Sequence, residues 1–210
     1  MLKKEYDILK PFVDKPWQPL TFKQIAVASK KRSNSYLFNT LKKFIINKIL
    51  VEKKVGNVLL YSINYQSSKA LSYLGFALEY GGWNKNSVPY HDLQVLMDKI
   101  PYIAHVTLLT GSYAKGTQYK KSDLDVVILI EDSCEPKKVY AELKLQSELN
   151  IPNIHLYVFR YSEFIEMLTN KEVNYGTEIV KNCLVLSQGQ TYLKLIHEAI
   201  QHGFDGTSLS

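Results

Sequence analysis

Cysteine is scarce in this 210-residue chain: Cys134 and Cys183 are the two present, and they lack metal-ligand spacing. Neither a disulfide framework nor a thiolate metal module is therefore expected, and a reducing compartment suits the chain. Long apolar runs are absent too, so no segment reads as a membrane span, which takes about 20 residues. The start, Met1-Leu2-Lys3-Lys4-Glu5-Tyr6-Asp7, has no apolar stretch of the signal-peptide kind. The expectation is a cytoplasmic protein without a membrane partner. No internal repeat or low-complexity tract is visible. Aspartate is missing altogether between Ser133 and Phe204. What is there is ordinary globular material, 46% hydrophobic and 22% charged, in a length that suits two small domains.

The net charge of +6 conceals a split. Residues 1–66 carry 13 Lys+Arg against 4 Asp+Glu, a balance of +9, whereas residues 67–210 carry 13 against 16, a balance of −3. A basic end joined to a mildly acidic remainder suits a nucleic-acid-binding module attached to something else.

The basic end has a readable pattern. Tyr6, Leu9, Phe12 and Val13 recur at helical spacing, which predicts a helix over 5–13 that Pro11 interrupts or bends. Thr21-Phe22-Lys23-Gln24 has the form of a capping box opening a second helix. Ser33-Asn34-Ser35 offers a cap for a third, with Leu37, Leu41, Phe44 and Ile45 on one face. Residues 49–54, a Gly56-Asn57 turn and residues 58–63 read as a hairpin with a basic arm. Over residues 1–65 this order resembles the winged helix-turn-helix domains of prokaryotic transcription regulators. The resemblance implies a third helix in the major groove of double-stranded DNA. Asn34, Ser35, Tyr36 and Asn39 would then face bases, while Lys30, Lys31, Arg32, Lys42, Lys43, Lys53 and Lys54 would contact phosphates. The alternative is a winged helix used for protein contacts or dimerisation.

Residues 66–90 read as a linker built on a helix that Gly81-Gly82 breaks. Leu74 and Leu78 on that helix fit a homodimer seam, and fit equally well packing on the chain's own domains.

The chemistry is concentrated in residues 91–210. Val106 to Thr110 reads as a buried strand. It leads into Gly111-Ser112-Tyr113-Ala114-Lys115-Gly116, then Ser122-Asp123-Leu124-Asp125 and the apolar run Val126 to Ile130. Alternation in a strand puts Asp123 and Asp125 on one face with Cα atoms ~7 Å apart, close enough for their carboxylates to converge on metal ions. The glycines permit a tight turn and a close approach of backbone to ligand. Gly-Ser-x-Ala-Lys-Gly-x5-Ser-Asp-x-Asp resembles the signature of the DNA polymerase beta-type nucleotidyltransferase superfamily, in its minimal form. The resemblance implies an α+β fold: an N-terminal winged helix-turn-helix joined by a linker helix to a small mixed-sheet nucleotidyltransferase domain. It implies Mg²⁺ or Mn²⁺ on Asp123 and Asp125. It further implies a nucleoside triphosphate gripped at Gly111, Ser112, Lys115, Gly116 and Ser122, and transfer of a nucleoside monophosphate to an acceptor.

That superfamily carries a third carboxylate on the next core strand. Here the strand is expected at 154–159, and the matching position is His155, or else Tyr157. Glu148 and Glu163 only flank it. His155 either serves as the catalytic base, imidazole being the side chain suited to that role near neutral pH, or is a hydrogen-bonded strand residue. After this strand, helices are expected over 162–168, 175–182 and 190–202, with residues 204–210 a frayed tail.

Three functions fit: a transferase whose DNA binding sets where it acts, a nucleotide-sensing transcription regulator with little turnover, and an antitoxin that modifies a helical toxin. The acceptor or toxin would be a protein partner.

Overall fold

The computed structural model describes residues 2–30, 33–100, 105–170, 172 and 174–209. The chain is built around two sheets joined by one long helix.

The first sheet has the order β1-β3-β2, with β1 Leu20–Thr21, β2 Leu50–Val55 and β3 Val58–Ile63, all antiparallel. Helices α1 (Leu2–Asp14), α2 (Phe22–Ala28) and α3 (Asn34–Ile46) pack on it. The cap signals act as the sequence predicts. Thr21 and Gln24 close a reciprocal capping box at α2, and Ser33 accepts from the Tyr36 N–H at α3. Pro11 does not interrupt α1. Ile8, Leu9, Phe12 and Val13 are all buried, so the core holds the turns on both sides of the missing N–H.

Helix α4 (Ser68–Trp83) runs straight through Gly81-Gly82, contrary to the expected break. These glycines serve close approach instead of termination. A Cβ on Gly82 would lie 2.4 Å from the Val185 carbonyl oxygen, and one on Gly81 would lie 2.2 Å from the Tyr6 hydroxyl. Leu74 is fully buried within the chain, and Leu78 packs partly buried between the two halves. Of the two roles open to these leucines, intrachain packing is the one they fill here.

The second sheet has the order β6-β5-β4-β7, with β4 His105–Thr110, β5 Leu124–Ile130, β6 Ile154–Arg160 and β7 Leu184–Ser187. Strands β5 and β6 are parallel, and β4 is antiparallel to both β5 and β7, so the fold is mixed α+β with a small mixed sheet. Val126 to Ile130 have no solvent exposure, because both faces of β5 are covered. One face packs on α8 (Tyr161–Thr169), α9 (Tyr175–Asn182) and α10 (Gly189–Gln201), the other on α5 (Tyr90–Met97) and α7 (Pro136–Leu149). A short α6 (Gly111–Lys115) follows β4. The expected fray after α10 is overturned at its first residue: Phe204 is buried edge-on against Trp17, ring centroids 5.3 Å apart.

Candidate functional site

The ladder of the second sheet decides which side chains meet. Thr110, the last residue of β4, pairs with Asp125, and its hydroxyl donates to the Asp125 carbonyl at 3.2 Å. The chain then turns off the sheet at Gly111, whose φ is +65°. A Cβ there would sit 2.0 Å from Oδ2 of Asp125. Glycine is therefore required twice, by its backbone conformation and by the carboxylate lying over it. Helix α6 follows for one turn and closes at Gly116, φ +77°, with the Thr117 N–H returning to the Ser112 carbonyl at 2.9 Å. No side chain caps the first turn of α6.

The parallel register of β5 and β6 sets Asp125 beside His155. Asp123 lies just ahead of β5, yet its carboxylate reaches the same imidazole. His155 Nε2 is 3.4 Å from Asp123 Oδ2, and Nδ1 is 3.5 Å from Asp125 Oδ1. The imidazole thus lies between the two carboxylates. Side-chain exposures of 42%, 29% and 51% for Asp123, Asp125 and His155 keep the cluster open to a ligand. Tyr157, the second residue weighed for this place, pairs with Val127 one step deeper. Glu148 is exposed and pairs with Lys144, while Glu163 accepts from the Arg160 N–H at the start of α8. Neither of the flanking glutamates belongs to the cluster.

A cavity of 260 Å³ opens beside Asp125, walled by Gly111, Lys115, Tyr157, Tyr175 and Glu178. Burial, then the Thr110 hydrogen bond acting the other way and the nearby Tyr157 and Asp125, leave the Tyr175 phenol pushed up to about 12. The sequence marks out α9 as a helix, but nothing in the motif ties its residues to the site. Tyr175, Glu178 and Asn182 all line this cavity. Their i, i+3, i+7 spacing puts them on one helix face, which is the signal that would have grouped them.

Two further side chains hold α6. Lys85 Nζ donates to the Ala114 carbonyl, and Ser87 Oγ donates to the Tyr113 carbonyl at 3.0 Å. Ser122 is buried, and its hydroxyl accepts from the Tyr119 N–H at 2.9 Å, so it closes the loop leading to the aspartates.

The first sheet presents a separate surface. Asn34, Ser35, Tyr36, Asn39, Lys42 and Lys43 are all exposed on α3, with the Lys42 ammonium 4.6 Å from the Phe38 ring centroid. Lys53 and Lys54 are exposed on β2. Arg32 and Lys31 lie outside the described residues.

Residues 98–183 match the family model of the nucleotidyltransferase domain. The match takes in β4, α6, β5, α7, β6, α8 and α9, hence every residue of the cluster and its cavity. Nucleotidyl transfer is the general activity this domain supports. No curated protein and no solved structure matches the chain. Among the described residues no helix is long and apolar enough to cross a membrane.

Proposed function

We propose that the protein binds a metal–nucleoside triphosphate at the Asp123–Asp125 cluster and transfers a nucleoside monophosphate to an acceptor, under the control of DNA bound by its N-terminal region. The observation that carries the first half is the convergence of Asp123, Asp125 and His155 next to a positive-φ glycine, inside a matched nucleotidyltransferase domain.

The donor set fits the implied metal. Mg²⁺ and Mn²⁺ favour oxygen ligands, and Mg²⁺ is commonly held by one or two carboxylates with phosphates completing its shell. Asp123 and Asp125 supply those carboxylates, and among the described residues no larger cluster of acids, histidines and cysteines exists to hold an ion unaided. When bound, the ion would offset phosphate charge and activate the reacting oxygens. The chain's own residues do the rest. Gly111 and Ser112 offer the backbone and hydroxyl of an uncapped turn to the β- and γ-phosphates. Lys115 adds a cation at the cavity wall, and the Gly116 turn closes α6 beneath them. His155 takes the proton of the acceptor hydroxyl as its oxygen bonds to the α-phosphorus, and the α–β bridge breaks to release pyrophosphate.

The N-terminal region is read as a winged helix-turn-helix over 1–65, followed by a linker at 66–90 and a transferase domain at 91–210. The arrangement α1-β1-α2-α3-β2-β3 with exposed lysines on α3 and β2 supports that reading and a duplex-DNA partner.

A second reading draws on one specific observation. His155 occupies the place where the superfamily carries an acid, and an imidazole brings neither the charge nor the oxygens of a carboxylate. That favours a nucleotide-sensing regulator with little turnover. Transfer of label from α-³²P-ATP, with Mg²⁺ or Mn²⁺, to the protein or to cell extract separates the two. Label that depends on Asp123 supports the transferase. Absence of label together with Asp123-dependent ATP binding supports the sensor. Absence of both rejects the site.

A further inference from the structure

A second cavity is larger than the one beside Asp125. It measures 600 Å³ and lies between α1, the end of α4, α9 and β7, where the two halves of the chain meet. That volume is within the range of small-molecule sites, about 300–1,000 Å³. Its charge is one-sided. Lys10, Lys15, Lys85 and Lys181 line it against a single acid, Asp14, which leaves +3. Asp14 is engaged by Lys10 one helical turn away. Among the described residues no ion pair reaches Lys15, Lys85 or Lys181.

Lys85 shows what this arrangement costs. It is partly buried, and burial, with the Lys10 ammonium second, pushes its own ammonium below the ordinary value. Three lysines on one concave surface without carboxylate partners suit a ligand that carries several negative charges. Part of the remaining wall is aromatic, beside aliphatic residues such as Val13, Leu78 and Val185. Tyr6 and Tyr80 meet edge to face with centroids 5.3 Å apart and take part in the lining. Multiple ammonium groups beside an aromatic wall are the complement of a nucleoside di- or triphosphate: phosphates for the lysines, base for the rings.

We infer that this cavity is a second nucleotide site, metal-independent and distinct from the Asp123–Asp125 cluster. It lacks the paired carboxylates that a metal-bridged triphosphate needs, so its ligand is held by ammonium groups directly. Lys85 connects it to the first site. The same side chain that lines the cavity donates to the Ala114 carbonyl on α6, and its Cε lies 3.7 Å from where a Cβ on Gly116 would be. A ligand seated here therefore shares an ammonium with the turn that closes the Gly111–Gly116 segment, which makes the site regulatory.

The test is ATP binding by calorimetry in excess EDTA, where metal-bridged binding at the aspartates is abolished. The parent protein should bind one ATP, and Asp123→Ala should bind it equally. The double variant Lys15→Ala/Lys181→Ala, which alters only exposed side chains, should bind about tenfold or more weakly. Lys137→Ala/Lys138→Ala, the same charge removed from exposed positions at the start of α7, should leave affinity unchanged. Inorganic tripolyphosphate should bind about tenfold more weakly than ATP, since it leaves the aromatic wall empty. Failure of ATP to bind without metal would overturn the site. So would equal losses in the two lysine double variants. Equal affinity for tripolyphosphate would remove the nucleoside from it. None of these outcomes bears on metal-dependent binding at Asp123, so this site and the proposed transferase site fail separately.

Discussion

The Oδ2 atom of Asp125 occupies the space a side chain at Gly111 would need, 2.0 Å from the position of its Cβ. One residue ends β4 and the other stands in β5, so the antiparallel ladder makes the turn and the carboxylate a single unit. Gly111→Ala should disturb both at once. It puts a Cβ on a φ of +65° and drives Asp125 off its position. A stability loss of about 1–3 kcal/mol in urea denaturation is expected, with metal-dependent ATP binding weakened at least tenfold. Normal ATP binding by a folded Gly111→Ala protein would mean that Asp125 does not act from this position.

His155→Asp should restore an oxygen donor between the two aspartates. Metal-dependent label transfer is expected to rise about tenfold or more over the parent, whereas His155→Ala should not exceed it. Transfer unchanged by the aspartate would show that position 155 is not where the third ligand acts.

The proposed DNA interaction rests on the exposed lysines of α3. Replacing Lys42 and Lys43 together with Ala is expected to lower affinity for every duplex sequence, and to reduce the slope of log K against log salt by about 2, since each phosphate contact contributes about 0.9. Titration of a labelled duplex at several salt concentrations measures this. An unchanged slope would move any DNA face away from α3.

Gly75 and Gly189 bring α4 and α10 together backbone to backbone. A Cβ on Gly75 would lie 2.4 Å from the Gln190 nitrogen, which cannot yield as a flexible side chain would. Gly75→Ala should therefore cost about 1–3 kcal/mol, measured by chemical denaturation. A neutral result would show that α10 can slide on α4.

His197 supplies a pH dependence whose sign follows from burial. Its ring stacks on Tyr65 with centroids 4.3 Å apart, Nδ1 is buried without a partner, and burial lowers its pKa from the ordinary 6.5. A folded-state value below the unfolded one means that the unfolded chain takes up the proton first. The contribution is complete above pH 6.5 and is lost as pH falls below it. Stability of the parent should therefore drop more steeply below that pH than stability of His197→Gln. Parallel slopes would exclude His197 as the source.

Much of the architecture was legible because it rests on local rules. Thr21 and Ser33 cap the helices their side chains predict, and the apolar run Val126–Ile130 continues the strand that the Asp-x-Asp opens. The sequence leaves His155 and Tyr157 both open for the position on the next strand, and the parallel pairing sets His155 beside Asp125. What was not legible depends on distant surfaces. Gly81 and Gly82 look like helix breakers in isolation; they stay helical because Tyr6 and Val185 need their bare Cα atoms. Phe204 reads as part of a tail until Trp17 is placed against it. Glu178 and Lys85 reach the site from α9 and from the segment after α4, both distant in sequence from the motif; helical spacing groups Glu178 with Tyr175 and Asn182, but only the tertiary fold brings that face, or Lys85, to the motif.

The most direct test of the metal–nucleotide assignment is ATP-dependent retention of Mn²⁺ by the protein in equilibrium dialysis, measured above a protein-free ATP control, in the parent and in Asp123→Ala and Asp125→Ala. The parent should take up Mn²⁺ together with the nucleotide, and each variant should lose that uptake while keeping the parent's circular dichroism and melting behaviour. Equal uptake by all three proteins would contradict a role for this pair of aspartates.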